Sequence, residues 1–375
     1  RGLLYAGTEN GLYVSFDDGE RWEPLQSNLP RAPVYWMVIQ EHFNDLVVGT
    51  YGRGFWILDD LTPIQKMNQT VRDASAHLFP PLPTYRFRAS TQPVTMTDDP
   101  SAGQNPPYGA AISYYLKSAP AGDVKIRIED AKGQLVRTLN GTKNIGLNRV
   151  TWNLEGEPTT EVRMRTSPAY APEIKVGPDG TRNAPGAGRM SILMPPGSYT
   201  VKLSVAGQNL AQPLILKKDP NSGGTEADIS EQITMLLELR KDLESGARMV
   251  NQIEFIRSQL LQLTSASTSL KSAAAALDKK LIEIEENLIQ RRLTGQGQDT
   301  VRWPPKLLSK INYLAGGLAS GDFAPTTQQR EVHALFKQQL TSLQQQLDAT
   351  LNQDLTALNK LLGDSNIKSA IKTNP

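Results

Sequence analysis

Three pairs of adjacent carboxylates are the residues of this chain whose type could support hydrolysis of a glycosidic bond. They are Asp17 and Asp18, Asp59 and Asp60, and Asp98 and Asp99. Glycoside hydrolysis needs two carboxyl groups about 5–9.5 Å apart that face one sugar. Neighbouring residues on a strand point to opposite faces, so no pair is a natural acid and base. We therefore predict no catalytic residue here: Asp17 belongs to a turn, and Asp59 and Asp60 end a strand.

The sequence carries no pattern typical of a metal site or of a bound cofactor. The three histidines, His42, His77 and His333, lie in different segments without metal-ligand spacing. The chain has no cysteine, which excludes disulfides and thiolate chemistry. It contains no Gly-x-Ser-x-Gly motif, no phosphate-binding loop and no Asp-rich calcium loop. We predict no metal and no cofactor.

A glycine-rich turn carries the residues best suited to touch a ligand. Tyr51, Arg53 and Trp56 surround Gly52 and Gly54, and aromatic rings of this kind can line sugar sites or fill a core. Side chains alternate along a strand, so Phe55 and Trp56 face opposite sides and at least one of them belongs to a core. Tyr51, Arg53 and Trp56 are the candidate ligand contacts, and the alternative is a tight connection between strands.

The most specific motif is a Ser-x-Asp-x-Gly-x-x-Trp turn made by Ser15, Asp17, Gly19 and Trp22. It lies between two strand-like runs, where an aspartate followed two residues later by glycine is a hairpin signal. The carboxylate can accept from nearby backbone N–H groups, and glycine supplies positive φ. We expect Asp17 to do so within its own turn, and Trp22 to pack over the turn and be mostly buried. These four residues are predicted to be structural.

Composition limits the classes of protein that this chain can represent. Its 375 residues suit two or three domains. The net charge of +2 argues against a nucleic-acid binder driven by overall charge. No apolar run reaches the roughly 20 residues that a membrane helix needs, so no membrane insertion is predicted. Because the sequence begins at Arg1 and runs directly into a strand pattern, it is interpreted as a fragment or a processed product.

Short strand patterns dominate residues 1–66. The predicted strands are Leu3–Thr8, Gly11–Phe16, Arg21–Leu25, Val34–Gln40, Leu46–Tyr51 and Gly54–Asp59. Six strands make about one and a half four-stranded propeller blades, and a propeller needs at least four blades. Six strands leave an unpaired edge, so we expect strands of the remaining blades, in the same protein or in another chain, to cover that edge. Residues 67–110 are rich in proline and predict an extended connector with little regular structure.

Residues 111–218 return to strand patterning and predict an Ig-like β-sandwich. The expected strands are Ala111–Lys117, Val124–Asp130, Leu135–Asn140, Gly146–Asn153, Gly197–Val205 and Leu210–Lys217. Many glycines and prolines in residues 155–190 predict a long loop within this domain.

Residues 225–375 predict an antiparallel helical bundle. Thr225 can cap the first helix, and helical periodicity covers 229–263, 268–293 and 306–318. The last helix carries one apolar stripe, listed here in order: Val332, Phe336, Leu340, Leu343, Leu347, Leu351, Leu355, Leu358 and Leu362. The stripes are interpreted as bundle core, and the alternative is a docking surface for a partner or a second copy.

Several segments together resemble one family of proteins. Residues 4–11, the Asp turn and residues 48–60 look like the end of a bacterial sortilin-like, or Asp-box (BNR), repeat β-propeller. Residues 105–110 and 146–154 resemble the sandwich that follows it, and residues 297–299, 304–307 and 319–322 resemble its helical tail. Arg21 stands where the Asp-box usually has threonine.

The resemblance implies a bacterial exported protein, periplasmic, on the outer surface or extracellular. Such proteins are often labelled glycosyl hydrolases, because sialidases and xyloglucanases share the repeat. The resemblance supplies no catalytic residue for this region. The expected function is a non-catalytic binding or assembly region, with the remaining blades as partner, a protein or carbohydrate as a further ligand, and no nucleic acid. The alternative is an accessory region of a polysaccharide-acting hydrolase whose catalytic carboxylates lie on upstream blades.

Overall fold

Turn residues divide the first 66 residues into short antiparallel strands. In the computed structural model, which describes residues 2–88, 103, 105–263, 267–365, 367 and 370–374, these strands form two three-stranded sheets. The first sheet contains β1 (Leu4–Thr8), β2 (Gly11–Ser15) and β3 (Glu23–Pro24), and the second contains β4 (Val34–Gln40), β5 (Asp45–Thr50) and β6 (Phe55–Leu58). All six predicted strands are present, and the third is shortened to two residues. A small core that includes Leu12, Val34 and Leu46 joins the two sheets.

Residues 67–88 correct the prediction of an irregular connector. After α1 (Thr62–Lys66), this segment forms α2 (Gln69–Asp73), β7 (Ala76–Leu78) and β8 (Thr84–Arg86). Proline interrupts the segment only between β7 and β8, so three-residue strands on either side still pair with longer neighbours. The predicted pair Asp98 and Asp99 lies outside the described residues.

The six strands predicted in residues 111–218 are all present. They are β9 (Ala110–Leu116), β10 (Lys125–Glu129), β11 (Leu135–Asn140), β12 (Gly146–Trp152), β15 (Gly197–Val205) and β16 (Gln208–Lys218), with two short strands between β12 and β15. One sheet has the order β11-β10-β15-β16-β8, and the other has the order β12-β9-β7. Both contribute to one hydrophobic cluster that includes Tyr114, Trp152 and Val201.

The chain divides into two compact units that do not follow its linear order. The first unit comprises residues 1–156 and 193–220, and the second comprises 157–192 and 221–375. Residues 155–190 are predicted to be a loop of the β domain, but residues 157–192 belong to the helical unit. Their two-residue strands β13 (Arg163–Met164) and β14 (Arg182–Asn183) pair with each other. Val162 and Met164 are buried in the helical core, which explains the assignment. The described chain is thus mixed α and β, with several small sheets, one of them curled into a half barrel, and helices.

The helical unit follows the predicted periodicity. Its helices are α3 (Glu226–Leu260), α4 (Thr268–Leu288), α5 (Asp299–Arg302), α6 (Leu307–Leu318), α7 (Thr327–Thr350) and α8 (Thr356–Asp364). A capping box between Thr225 and Asp228 begins α3 as predicted, and a second one between Thr326 and Gln329 begins α7. Helix α7 packs on α3, α4 and α6. No helix in the described ranges is both long and apolar enough to cross a membrane.

A π-helical turn joins α7 to α8 at Leu351–Leu355. The stripe here has three consecutive spacings of four, at Leu343, Leu347, Leu351 and Leu355. At about 100° per residue, each spacing of four advances about 40° beyond a full turn, so the stripe would drift by about 120°. One extra residue in a π turn absorbs about 100° of this drift. Leu347, Leu355, Leu358 and Leu362 consequently stay buried, whereas Val332 at the start of the stripe is 39% exposed.

Candidate functional site

The Asp turn has the hydrogen bonds that its sequence predicts. The Asp17 carboxylate accepts from the Arg21 N–H at 2.9 Å and from the Ser15 hydroxyl at 2.8 Å. The Ser15 hydroxyl oxygen in turn accepts from the Gly19 N–H, and Gly19 has a φ of 96°. The backbone bond from Arg21, followed by the bond from Ser15, lowers the pKa of Asp17. Both bonds go to Asp17 Oδ1 from groups of the same turn, which supports a structural role for the motif.

Trp22 corrects one part of this prediction. Its ring lies beside Gly19, as expected for a residue that packs over the turn. However, the residue is 42% exposed and is not mostly buried. The turn is at the surface of a small two-sheet segment, and a ring placed over it has a covered side and an open side.

One face of the sheet β4-β5-β6 is apolar and uncovered, and we call it the open face. Antiparallel register places Trp36, Gly49 and Phe55 in one row across the three strands. The next row on the same face contains Val38, Val47 and Ile57. The two terminal side chains of each row are exposed as follows: Trp36 80%, Phe55 84%, Val38 62% and Ile57 60%. The opposite face carries Leu46 and Val48, which are buried in the core of this segment.

A shallow aromatic depression borders the open face. It has a volume of 380 Å³ and is lined by Tyr35, Trp36 and Tyr51, among others. The ring centroids of Tyr35 and Tyr51 are 5.8 Å apart and tilted by 54°. A Cβ on Gly49 would lie 3.4 Å from Trp36 Cβ and 3.7 Å from the Phe55 ring, which is ordinary van der Waals contact. The rings of Tyr35, Trp36 and Tyr51 are exposed and line one depression.

The candidate ligand contacts occupy different positions relative to this surface. Tyr51 and Arg53 are exposed on the turn between β5 and β6. Trp56 packs against the core of the segment, and its indole N–H donates to the Arg53 carbonyl at 2.9 Å. The alternation of Phe55 and Trp56 was thus predicted correctly, but the ring that faces solvent is Phe55. The sequence analysis did not identify Trp36 and Val38. Their signal was that β4 carries apolar residues on both of its faces.

Asp59 and Asp60 lie directly after β6, as predicted, and serve the connection to the following helix. Their carbonyl oxygens accept from the Arg149 guanidinium at 2.9 and 3.1 Å. The Asp60 N–H donates to the Asp45 carboxylate at 2.8 Å. Burial, followed by the Asp45 charge, raises the pKa of Asp59, and Arg149 opposes this shift. No open cleft is needed to explain these carboxylates.

Two carboxylates that do come together are sealed inside the helical unit. Arg257 Nη1 donates to Glu254 at 2.6 Å and to Glu285 at 3.0 Å. Both glutamates are fully buried, and Glu254 also accepts from the Thr166 N–H and hydroxyl. Burial, followed by the Glu254 charge, raises the pKa of Glu285 well above its usual value. A sugar cannot reach this pair, so it has a structural role.

The described residues contain no group of three or more His, Asp or Glu side chains placed to hold a metal ion. His333 Nε2 lies 2.8 Å from the Asp242 carboxylate, and both residues are buried inside the bundle. The open face is the candidate functional site of the first unit. Its exposed apolar side chains suit contact with another apolar surface. No protein-family model and no curated protein matches this chain.

Proposed function

We propose that this chain is a non-catalytic assembly region of an exported sortilin-like repeat protein, and that its open face packs against a neighbouring blade. The observation that carries this proposal is the exposure of Trp36, Phe55, Val38 and Ile57 in two adjacent rows of one sheet. Large contiguous apolar patches on proteins mark interaction sites for proteins or membranes, or ligand-binding grooves. The neighbouring blade is a further β-sheet, in the same protein or in another chain.

A sheet is the occupant that this surface fits best. The open face consists of two parallel rows with the period-two spacing of a strand, and sheets pack face to face at about 10 Å through such rows. No charged side chain lies in either row. At the centre of one row, Gly49 carries no side chain, and the Phe55 ring lies close to it, so this row presents the two rings as its exposed apolar surface.

The test compares the chain with a variant in which Trp36→Ser and Phe55→Ser are combined. We expect the unaltered chain to enhance the fluorescence of the apolar dye ANS and to self-associate with rising concentration in sedimentation velocity. Both signals should fall strongly in the double variant, because it removes the largest rings of the face. The matched control is Tyr170→Ser, since Tyr170 is 86% exposed and belongs to the other unit. If the unaltered chain remains monomeric and does not enhance ANS fluorescence, the proposal is contradicted.

The alternative function is an accessory region of a polysaccharide-acting glycoside hydrolase with its catalytic carboxylates elsewhere. The depression lined by Tyr35 and Tyr51 favours it, because rings at fixed spacing can stack on sugars. Titration with a neutral oligosaccharide such as cellotetraose distinguishes the two. Binding that disappears in Tyr35→Ala and Tyr51→Ala, with ANS binding unchanged, would favour the accessory role.

A further inference from the structure

A groove in the helical unit is lined by four cations and one carboxylate. It has a volume of 880 Å³, and its charged lining residues are Arg163, Arg165, Lys241, Glu244 and Arg248. We call it the basic groove. All of its lining residues belong to the second unit, whereas the open face belongs to the first.

Regular backbone geometry places these cations on one side. Arg163 and Arg165 are two residues apart around strand β13, and the residues that alternate with them, Val162 and Met164, are buried. On α3 the lining residues Lys241, Ser245, Arg248 and Gln252 follow the spacing of one helical face. Lys241 and Gln252 are eleven residue steps apart, or about 16 Å along the helix. The groove therefore offers a row of cations and uncharged polar groups.

Side chains of α3 hold the strand segment in position. Glu244 accepts from the Thr160 N–H at 2.7 Å and from its hydroxyl at 2.6 Å. Asn251 accepts from the Arg163 N–H at 2.8 Å, and its amide donates to the Glu161 carbonyl at 3.0 Å. Glu254 accepts from the Arg165 N–H at 2.5 Å. Because these bonds fix the backbone beside the helix, the two arginines belong to a segment that is held firmly in place.

The charge of the groove is only partly neutralised. Glu244 pairs with Arg248 at 3.1 Å, and Arg163 pairs with Glu161 at 2.8 Å. Arg165 lies over the Phe255 ring at 5.3 Å, a contact that leaves its N–H donors available. Within the described ranges, neither Arg165 nor Lys241 has a carboxylate at ion-pair distance. An anionic ligand would supply those partners.

We infer that the basic groove binds a carboxylated oligosaccharide. Guanidinium groups take carboxylates through paired hydrogen bonds, and the uncharged Ser245 and Gln252 suit hydroxyl groups between successive carboxylates. No aromatic ring lines the described groove, which argues against stacked nucleic-acid bases. Met249 is its only apolar lining residue within the described part of the chain, and a peptide would need apolar pockets for anchoring side chains.

The experiment is calorimetric titration of the full chain with tetragalacturonate, and with maltotetraose as the neutral counterpart. We expect the acidic sugar alone to bind, with an affinity that falls as salt rises. Arg165→Gln and Arg248→Gln should each weaken binding about tenfold, since each removes a hydrogen bond to a charged group. The control Lys279→Gln, an exposed cation of α4 outside the groove, should leave the affinity unchanged.

Hexa-aspartate and a single-stranded DNA hexamer complete the test. Equal or tighter binding of either one would overturn the assignment to a sugar. Equal weakening by Lys279→Gln would mean that overall charge, and not this groove, attracts the ligand. Absence of any binding by tetragalacturonate up to about 10 mM would overturn the inference, provided that circular dichroism shows the chain folded.

Discussion

At the residue scale, the Asp17 carboxylate links the two ends of its turn. Asp17→Ala removes the acceptor for the Arg21 N–H and the Ser15 hydroxyl, so the first unit should unfold at a lower temperature. A depressed pKa means that this contribution is present above the unfolded pKa and is lost as pH falls through the folded pKa. The melting temperatures of the variant and the unaltered chain should therefore differ at neutral pH and converge at acidic pH. Glu20→Ala, an exposed change in the same turn, is the control, and an equal loss in both variants would contradict the role of Asp17.

Glu285 predicts the opposite dependence on pH. Its raised pKa means that stability is fully present below the unfolded value near 4.5 and declines as pH rises toward the folded pKa. Arg257 and Arg291 oppose this shift, but Glu285 Oε1 has no hydrogen-bond partner among the described residues, and burial and the Glu254 charge dominate.

Glu285→Gln keeps the shape and removes the charge. We expect the melting temperature of this variant to fall less than that of the unaltered chain between pH 4.5 and 8. The exposed neighbour Glu286→Gln should retain the original slope. A steeper decline for Glu285→Gln would show that the ionised glutamate stabilises the network through its arginines.

At the scale of elements, the apolar stripe of α7 and α8 tests the bundle. Leu347 is fully buried midway along it. Leu347→Asp would bury an unpaired charge and should reduce the free energy of unfolding of the helical unit by roughly 3 kcal/mol or more. Urea unfolding followed by helical circular dichroism measures this change. The control is Gln345→Asp on the exposed side of α7, and a Leu347→Asp variant with unchanged stability would make the stripe a docking surface.

The sequence predicted strands and helices best where periodicity is sustained. The stretches 110–152 and 197–218 alternate clearly, and the helices show capping residues such as Thr225. The short strands β7 and β8 could not be predicted, because three residues beside a proline run carry no measurable alternation. The transfer of residues 157–192 to the helical unit depends on long-range bonds such as Thr166 to Glu254, which local patterns do not contain. The π turn did have a signal, namely the three consecutive spacings of four.

The sequence predicted that residues 1–66 need a partner, but it did not predict the open face itself. Counting strands predicted an unpaired strand edge in residues 1–66, which is different from an uncovered sheet face. The candidate ligand contacts were predicted in the turn from Tyr51 to Trp56, and Trp36 and Val38 were not among them. Which ring points outward depends on the register of β4, β5 and β6 and on the irregularity between Val34 and Trp36. Register is set by tertiary pairing, so sequence alone could not assign it.

At the scale of the whole molecule, we predict no glycoside hydrolase activity from this chain alone. Among the described residues, Asp17 is used within its turn, Asp59 and Asp60 follow β6, and Glu254 and Glu285 are buried. Aryl glycosides incubated with the purified chain should release no product above background. Turnover that copurifies with the chain would refute this, whether or not Asp17→Asn, Asp59→Asn or Asp60→Asn abolishes it.

The most direct test of the account is hydroxyl-radical footprinting of Trp36 and Phe55 in two samples. One is the isolated 375-residue chain at low concentration, and the other is the protein in the assembly recovered from its natural source. If a neighbouring blade covers the open face, both residues should react several-fold more slowly in the assembly. Tyr170 and Tyr313, which are exposed in the other unit, should react alike in the two samples. Equal reactivity of Trp36 and Phe55 in both samples would contradict the account.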